Sequence, residues 1–320
     1  MFQYSVAIRT LGKSGVAYET MIHCLKKQTI PPTKIVVYIA EGYSLPDRVS
    51  DEIYVYSKKG MAYQRALPYD EISTEFILLC DDDVYFAEDA VEKLFKAMQE
   101  NQADCISPNV FPNHEMRLRM KIIKAMLYGE CPSYSKRYAF RIRNSANYSY
   151  CNNPYDVMES QVCAGPCMLV KKEVNNALDY MDEVWMDQFP YTSGQDQLFS
   201  YKLYRYGYKI IIHYNVGIIH LDAQTGHIQD IVQSDFNKRK IRYIEWYRSL
   251  YEPARCGFQK IVLSLSYYLS WLLLFLWSLL SFVLGRNRFK LKNSLKALIE
   301  ARKYVNSSEY SKLPKWKVVR

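Results

Sequence analysis

Short apolar runs alternate with helical patterns over the first two thirds of the chain, and this alternation restricts the fold more than any other feature. The strand-like runs, rich in β-branched and aromatic residues, lie at 4–10, 34–40, 51–56, 76–80, 209–212 and 217–220. The segments with helical spacing lie at 15–28, 61–67, 87–99 and 194–206. Strands that alternate with helices form a mostly parallel sheet covered by helices. The sequence therefore predicts an α/β fold.

Three consecutive aspartates follow one of these runs, in the stretch LLCDDDVYF at 78–86. Carboxylates resist burial unless they are paired or bind a metal, so their place after an apolar strand needs an explanation. Ligands of parallel sheets bind beyond the carboxyl ends of the strands, where these aspartates lie. Mg²⁺ and Mn²⁺ favour such carboxylates together with substrate phosphates. A metal–diphosphate site is one hypothesis, and a turn that caps the next helix is the other.

Residues 261–284 contain no charged side chain. A helix of this length is roughly 36 Å long, against about 30 Å for the hydrocarbon core of a bilayer. Its amphipathic aromatic residues, Tyr267, Tyr268, Trp271 and Trp277, are of the kind found near membrane interfaces. The segment is therefore predicted to be a membrane-inserted helix.

Basic residues surround this apolar segment. The chain has a net charge of +9, and residues 286–320 alone contain eleven Lys or Arg and two acids. A basic tail beside an apolar helix favours an anionic membrane as the partner over nucleic acid. Because both flanks are basic, a re-entrant or in-plane arrangement is favoured over a single crossing. Residues 294–305 have helical spacing, typical of an interfacial helix or of a plain surface helix.

The remaining features set the expected organisation and compartment. Residues 113–150 form a basic insertion, whose first part, 117–128, has the pattern of an amphipathic helix; it is either a solvated insertion or a surface for an acceptor or membrane. Eight cysteines without a CxxC pair, and an N-terminus without a signal-peptide pattern, favour reduced thiols in the cytosol. The expected parts are a domain at 1–230, a helical connection at 231–260, the membrane helix at 261–284 and the basic tail at 285–320.

Six stretches, in order across roughly residues 4–225, resemble family 2 glycosyltransferases of the GT-A fold. They are the strand at 6–10 with QTIPPTKIVVY, GMAYQRA at 60–66, LLCDDDVYFAEDAVEKL at 78–94, CAGPCMLVKKEV at 163–174, GQDQLFSYKLYRYGYKI at 194–210 and VGIIHLDAQTGH at 216–227. The family transfers a sugar from a nucleotide-diphosphate donor with inversion. The resemblance therefore implies a GT-A domain with this activity and an Mg²⁺ or Mn²⁺ cofactor.

The resemblance also implies roles for individual residues. Asp196 stands where the family has its general base, although Gln195 replaces the first acid of the usual acidic pair; an N-cap role is the alternative for Asp196. Asp83 and Asp81 would hold the metal, and a ribose contact is the alternative for Asp81. His220 would complete the metal site or contact the diphosphate, or it is structural.

The donor and the acceptor are expected on different groups of residues. The positions implied for the nucleotide sugar are Thr10, Glu41, Arg65, Asp81 and Asp82, of which Glu41 is the loosest match. The positions implied for the acceptor side are Gly165 and Gln195. Ala66 departs from the family, which has asparagine there.

Together these features predict an inverting glycosyltransferase at the cytosolic face of the membrane. Its acceptor would be a saccharide linked to a lipid, for cell-surface polysaccharide, and nucleic acid is not expected as a partner. An inactive membrane-bound module that still binds sugar nucleotides is the alternative, because Gln195 and Ala66 depart from the family. A sugar nucleotidyltransferase would need a G-x-G-T-x-x-x-P-K-like loop, which TLGKSG does not supply. A processive synthase would need several spans and a Q-x-x-R-W-like stretch.

Overall fold

The structure is a computed structural model. It describes residues 2–110, 131–133, 137–151, 155–163, 165–190, 194–223, 230–286 and 288–319. The chain divides into two compact units. The first contains the described residues within 1–113, 154–187 and 195–227, and the second those within 114–153, 188–194 and 228–320. The helix predicted at 117–128 lies outside the described residues.

The strands of the first unit are β1 Tyr4–Thr10, β2 Ile35–Ala40, β3 Ile53–Ser57, β4 Phe76–Asp81, β5 Val84–Phe86, β6 Cys105–Pro108, β10 Val157–Ser160, β11 Cys167–Lys171, β12 Ile210–His213 and β13 Ile218–His220. Its α-helices are α1 Val16–Lys26, α2 Met61–Arg65, α3 Ala90–Glu100, α4 Lys172–Ala177 and α5 Gln195–Arg205, and a 3₁₀ helix at Tyr180–Gln188 ends at the unit boundary. The large sheet has the order β10–β12–β6–β11–β4–β1–β2–β3.

Most neighbours in this sheet run parallel. Strands β4, β1, β2 and β3 are parallel to one another, and β12 is parallel to β6, whereas β11 and β10 pair antiparallel with their neighbours. Every residue of β1 and β2 is buried, as expected for strands covered by helices on both faces. The predicted α/β fold with a mostly parallel sheet is confirmed.

Helices α1 and α3 cover the sheet through apolar side chains at helical spacing. Helix α1 buries Tyr18, Met21, Ile22 and Leu25, whose i, i+3, i+4 and i+7 spacing places them on one face. Helix α3 buries Val91, Leu94 and Met98 among others in the same way. These side chains join those of β1 and β4 in one hydrophobic core. The core holds the carboxyl ends of β1 and β4 side by side.

The second unit combines a small sheet with long helices. Its strands are β7 Cys131–Ser133, β8 Phe140–Ile142 and β9 Tyr148–Cys151, in the order β7–β9–β8. Its helices are α6 Ile231–Trp246, α7 Gly257–Val283, α8 Phe289–Val305 and α9 Ser308–Ser311, with a π-helical turn at Tyr247–Tyr251 after α6. Among the described residues, α7 is the one helix long and apolar enough to cross a membrane, and it contains the predicted segment 261–284 except its last residue.

Candidate functional site

The carboxyl ends of β1 and β4 bring together the first four polar residues of the site. The strands are parallel neighbours in a register that pairs Arg9 with Asp81. An Arg9 guanidinium nitrogen, Nη2, lies 2.5 Å from Oδ1 of Asp81. One residue further along, the hydroxyl of Thr10, the last residue of β1, donates a hydrogen bond to Oδ2 of Asp82, which follows β4. The parallel pairing therefore fixes two of the three aspartates through side chains of β1.

The third aspartate, Asp83, is held from a distant part of the chain. Strand β13 pairs antiparallel with β5, and His220 lies opposite Val84. Nε2 of His220 is 3.1 Å from Oδ1 of Asp83. The backbone N–H of Ala223 donates to Oδ2 of Asp83 over 2.9 Å. The two-stranded sheet thus places an imidazole and a carboxylate side by side.

The three aspartates differ in their electrostatic surroundings. Burial raises the pKa of Asp81 to about 6, although the charge of Arg9 opposes this shift. Burial also raises the pKa of Asp82. Burial acts in the same sense on Asp83, but hydrogen bonds from His220 and the Ala223 backbone outweigh it and lower the pKa of Asp83. The hydrogen bond to Asp83 in turn raises the pKa of His220.

These side chains face one cavity of about 460 Å³, within the size range of small-molecule sites. Its lining residues are Arg9, Thr10, Leu11, Lys59, Gly60, Met61, Gln64, Asp81, Asp82, Asp83, Gln195, His220 and Asp222. The buried Oε1 atom of Gln195 has no hydrogen-bond partner among the described residues. A buried acceptor without a partner is costly, so this atom is available to a bound ligand. The cavity therefore combines carboxylates, an imidazole and cationic groups.

Asp196 lies in the first turn of α5. Its carboxylate forms an ion pair with the Arg65 guanidinium, and its Oδ1 is 4.0 Å from Nη1 of Arg9. Its side chain is 21% exposed, so it is still accessible to solvent or to a ligand. A Cβ atom added at Gly165 would lie 1.8 Å from Oδ2 of Asp196, so the carboxylate packs directly on this glycine.

Arg65 is fully buried, and its partners are protein groups. Besides Asp196, its guanidinium donates to the carbonyl of Gly165 over 3.3 Å and lies 5.4 Å from the centre of the Phe199 ring. The nucleotide contact predicted for Arg65 stays a prediction, and the structure places the side chain beneath Asp196. The helix that carries Arg65, α2, is itself held by Asp187, whose carboxylate accepts hydrogen bonds from the first backbone N–H groups of α2.

Glu41 is placed apart from the other predicted residues. It follows β2, is exposed, and lines a second cavity of about 300 Å³ with Tyr38, Ser57 and Tyr63. The predicted site residues therefore fall into three groups. Thr10, Asp81, Asp82, Asp83, Gln195 and His220 line the first cavity; Arg65, Gly165 and Asp196 contact one another; and Glu41 lies in the second cavity.

The structure adds three residues that were not predicted from the sequence. Arg9 binds Asp81 and lies near Asp196, Asp222 lines the cavity, and Asp187 holds α2. Arg9 could have been predicted from the sequence, because a charge at the end of an otherwise apolar strand is rare away from ligand sites. The sequence indicates Asp222 more weakly, through its spacing of two residues from His220. No sequence pattern indicates Asp187, because its hydrogen-bond partners in α2 lie more than a hundred residues away.

The donor set at the end of β4 fits a hard divalent cation. Asp81, Asp83 and Asp222 supply carboxylate oxygens to the same cavity, and His220 supplies an imidazole nitrogen. Within the described ranges, no group of three or more His, Cys, Asp or Glu side chains is placed so that it could hold a metal ion by itself. Mg²⁺-type sites commonly use only one or two carboxylates and take substrate phosphates and water as further ligands. Asp83 with His220 is the pair that fits best, since Asp81 is bound to Arg9.

The fold defines the class of protein, an α/β domain with a mostly parallel sheet and a polar cavity at the carboxyl ends of β1 and β4. The model of the family described as "Glycosyl transferase family 2" matches residues 19–178, half of the 320 residues. The chain therefore belongs to glycosyltransferase family 2, as the sequence motifs predicted. No curated protein matches the chain in sequence.

Solved structures resemble the chain at low sequence identity. The crystal structure of GalNAc-T7 with UDP, GalNAc and Mn²⁺ has a TM-score of 0.51 and 12% identity over 84% of this chain and 55% of that chain, and it supports the GT-A fold. S. aureus TarS 1–349 in complex with UDP has a TM-score of 0.48 and 13% identity over 83% of this chain and 71% of that chain. Another S. aureus TarS crystal structure has a TM-score of 0.47 and 12% identity over 83% of this chain, which spans 43% of it.

Proposed function

We propose that this chain is an inverting glycosyltransferase that moves a sugar from a nucleotide-diphosphate donor to the hydroxyl of a saccharide acceptor. One observation carries the proposal: Asp81, Asp82 and Asp83 leave the central strand β4 and face one cavity together with His220. That juxtaposition suits a diphosphate bound with a divalent cation. Membership in glycosyltransferase family 2 and the UDP in the similar GalNAc-T7 structure support this donor class.

The residues of the cavity would have separate roles in binding the donor. Asp83 and His220, with Asp81 as a further candidate, would hold Mg²⁺ or Mn²⁺, which would offset the negative charge that develops on the leaving diphosphate. The Thr10–Asp82 pair and the end of β1 would position the nucleotide. Arg9 holds Asp81 in place and adds positive charge to this wall of the cavity.

The transfer would be a single displacement at the anomeric carbon. The acceptor oxygen forms a bond to that carbon while the bond to the diphosphate oxygen breaks, so the configuration inverts. Asp196 accepts the acceptor proton, and the negative charge leaves with the nucleotide diphosphate. Arg65 and Gly165 fix the direction of the Asp196 carboxylate, Arg65 through the ion pair and Gly165 through the missing side chain. Gln195, with its unpartnered Oε1, would contact the acceptor.

The acceptor is proposed to be a saccharide linked to a lipid, for cell-surface polysaccharide. The support comes from the second unit, where helix α7 carries no charge after Lys260 and has few buried residues, and where a basic tail follows. Such a segment would hold the enzyme at the cytosolic face of the membrane, where an acceptor with a lipid anchor is concentrated.

A second candidate is a membrane-bound module that binds a nucleotide sugar without transferring it. One contact favours it: the Asp196 carboxylate is engaged by the buried guanidinium of Arg65, which would compete with its use as a base. A protein of this kind would still need the aspartate cluster for binding. Binding and transfer must therefore be measured separately.

The test uses the full chain in detergent with a panel of UDP-, GDP- and dTDP-sugars. Calorimetry with Mn²⁺, with Mg²⁺ or with EDTA measures donor binding, and release of the nucleotide measures turnover. Wild type is compared with Asp83→Asn and Asp196→Asn, which keep side-chain volume. The proposal expects one donor to bind with metal, binding to be lost in Asp83→Asn, and turnover alone to be lost in Asp196→Asn.

The other outcomes of this test would favour one of the alternative functions. Binding of a donor without turnover, in the presence of lipid-linked and free saccharide acceptors, would favour the module. Failure of all donors to bind in every metal condition would contradict a diphosphate site at Asp83. The aspartates would then be a polar turn between β4 and β5, because β5 separates them from the next helix, α3.

A further inference from the structure

Helix α7 exposes one continuous apolar stripe along its whole length. The stripe consists of Ile261, Leu265, Leu269, Leu272, Leu276, Leu280 and Val283, which are between 43% and 73% exposed. Their spacing of three or four residues places them on one face. Soluble monomers rarely expose so many large apolar side chains in one patch, so the stripe needs a partner.

The opposite face of α7 packs on the rest of the second unit along most of its length. Tyr267 is buried, with its ring 4.6 Å from that of Trp246 in α6. Ser270 accepts a hydrogen bond of 3.0 Å from Asn147, in the turn between β8 and β9 of the small sheet. Trp271 donates to the backbone carbonyl of Ser294 in α8, and Ser278 is also buried near the far end. One face of α7 is therefore packed against the rest of the second unit, and the helix does not extend away from that unit.

Charged side chains lie beside the middle of α7. The midpoint of Gly257–Val283 is Ser270, and a small cavity there is lined by Ser270 and Trp271 together with Arg239 and Arg242 of α6. Arg239 is further paired with Asp235. If α7 crossed a bilayer, these charges would lie near the centre of the hydrocarbon, where charged side chains are strongly disfavoured. The packing of the unit therefore opposes a crossing.

The geometry points to an in-plane arrangement: we propose that α7 lies parallel to the surface of a bilayer rich in anionic lipids, with the leucine stripe in the acyl boundary. This inference rests on the proposed membrane association and adds the orientation. The charge of the region is complementary, because residues 286–320 contain eleven Lys or Arg and two acids. Lys260 and Arg286, at the two ends of α7, both stay at the headgroup level in this arrangement.

Vesicle flotation first separates membrane association from orientation. The full chain is mixed with vesicles of phosphatidylcholine alone or with equal parts of phosphatidylglycerol. We expect flotation with the anionic vesicles, reduced by high salt. Absence of flotation with both vesicle types would refute the membrane association itself, and a dimer in solution would then identify a second copy as the partner of the stripe.

Orientation is measured on the protein that floats. Nitroxide labels at Leu265→Cys, Leu272→Cys and Leu280→Cys, in a Cys256→Ser background, report depth by their accessibility to oxygen and to a polar relaxation agent. The in-plane arrangement places all three at one depth, about 5–10 Å below the headgroup boundary. A middle label near the bilayer centre, about 15 Å deep, with shallow outer labels would overturn the proposal.

Sidedness distinguishes the remaining arrangements. The native Cys256 and an added Arg286→Cys flank the helix and are labelled with a membrane-impermeant maleimide before and after detergent is added. Both sites react from one side in the in-plane arrangement. Protection of one site until detergent is added would show a crossing, and reaction of both with a deep middle label would show a re-entrant hairpin. Either result refutes the in-plane helix.

A matched pair of substitutions tests the stripe itself. Leu272→Glu places a charge in the middle of the stripe, whereas Val16→Glu places the same charge on an exposed apolar residue of the first unit. We expect Leu272→Glu to lower the partition coefficient into anionic vesicles about tenfold or more, because a carboxylate is poorly tolerated in the acyl boundary. Val16→Glu should leave it unchanged. Equal effects of the two variants would contradict a specific role of the stripe.

Discussion

Replacing Gly165 by alanine would put a methyl group where the Asp196 carboxylate now lies. The added carbon would be 1.8 Å from Oδ2 and 2.3 Å from Cγ of Asp196, whereas ordinary contacts begin at 3.4 Å. The carboxylate must therefore move by about 1.6 Å, the difference between the two distances, or the backbone at Gly165 must shift by a similar amount. A displacement of about 1 Å in a catalytic group costs roughly a hundredfold in rate.

The shift also disturbs a buried ion pair. Arg65 has no exposed side-chain surface, so no water can solvate its guanidinium. Asp196 balances its positive charge, and the Gly165 carbonyl accepts one of its hydrogen bonds. Overpacking of this kind lowers the free energy of unfolding by about 1–3 kcal/mol. Complete loss of the pair would cost more, about 3–5 kcal/mol. We therefore expect a folded but less stable enzyme.

The assay is the initial rate of sugar transfer with the donor that the nucleotide-sugar panel selects, together with donor binding by calorimetry and urea unfolding. We expect Gly165→Ala to lower kcat about a hundredfold or more. The donor Kd should change by less than about threefold, because neither Gly165 nor Asp196 lines the donor cavity. Gly257→Ala is the matched control, since an added Cβ there meets no atom within 4 Å.

A double variant decides whether the loss acts through Asp196. If Gly165→Ala works by moving this carboxylate, adding it to Asp196→Asn should change the remaining rate by less than about threefold. Two independent, multiplicative losses would contradict that route. Undiminished kcat in Gly165→Ala would refute the argument that the position of Asp196 against this glycine matters for transfer.

Three further perturbations follow from the structure. Asp83→Asn should weaken metal-dependent donor binding at least about tenfold, and excess EDTA should reduce wild type to the same level; equal donor affinity of variant and wild type in Mn²⁺ would contradict this. Asp187→Ala removes the acceptor of two backbone N–H groups of α2 and should lower the free energy of unfolding by about 1–2 kcal/mol, measured in urea. Burial lowers the pKa of His213 below its usual 6.5, so this residue binds more protons when unfolded and should cost stability as pH falls below 6.5. The drop should be smaller in His213→Gln, and an equal pH dependence in both proteins would refute it.

Local patterns in the sequence determine most of the first unit. Strand β1 begins and ends where its apolar run does, at Tyr4 and Thr10, because the strand is buried on both faces. Predicted strands elsewhere differ from the observed ones by one or two residues at an end. Helix α2 is shorter than the predicted 61–67 and ends at Arg65, after a single turn held by Asp187. Periodicity and composition are local properties, so they remain readable without tertiary contacts.

The candidate site needs both local and distant information. The place of Asp81, Asp82 and Asp83 at a strand end could be read from the sequence, because an apolar run precedes them. Local pattern could not bring Asp83 and His220 together, since their contact depends on β13 pairing with β5, more than a hundred residues away; only the resemblance to the family suggested a shared site. The burial of Arg65 beneath Asp196 was also unpredictable, because it arises from the packing of two helices.

The sequence by itself determined the fold class, the strand end that carries the aspartates and the presence of a long uncharged segment at 261–284. Each of these features depends on residues that are neighbours in the sequence. The spacing of apolar side chains and the strong cost of burying charge are enough to predict them. Only the tertiary structure decided that described residues of the basic insertion join the C-terminal helices in one unit, and that Arg239 and Arg242 lie beside the middle of α7. Those relations depend on side-chain packing between distant segments, and packing depends on three-dimensional shape that no local pattern records.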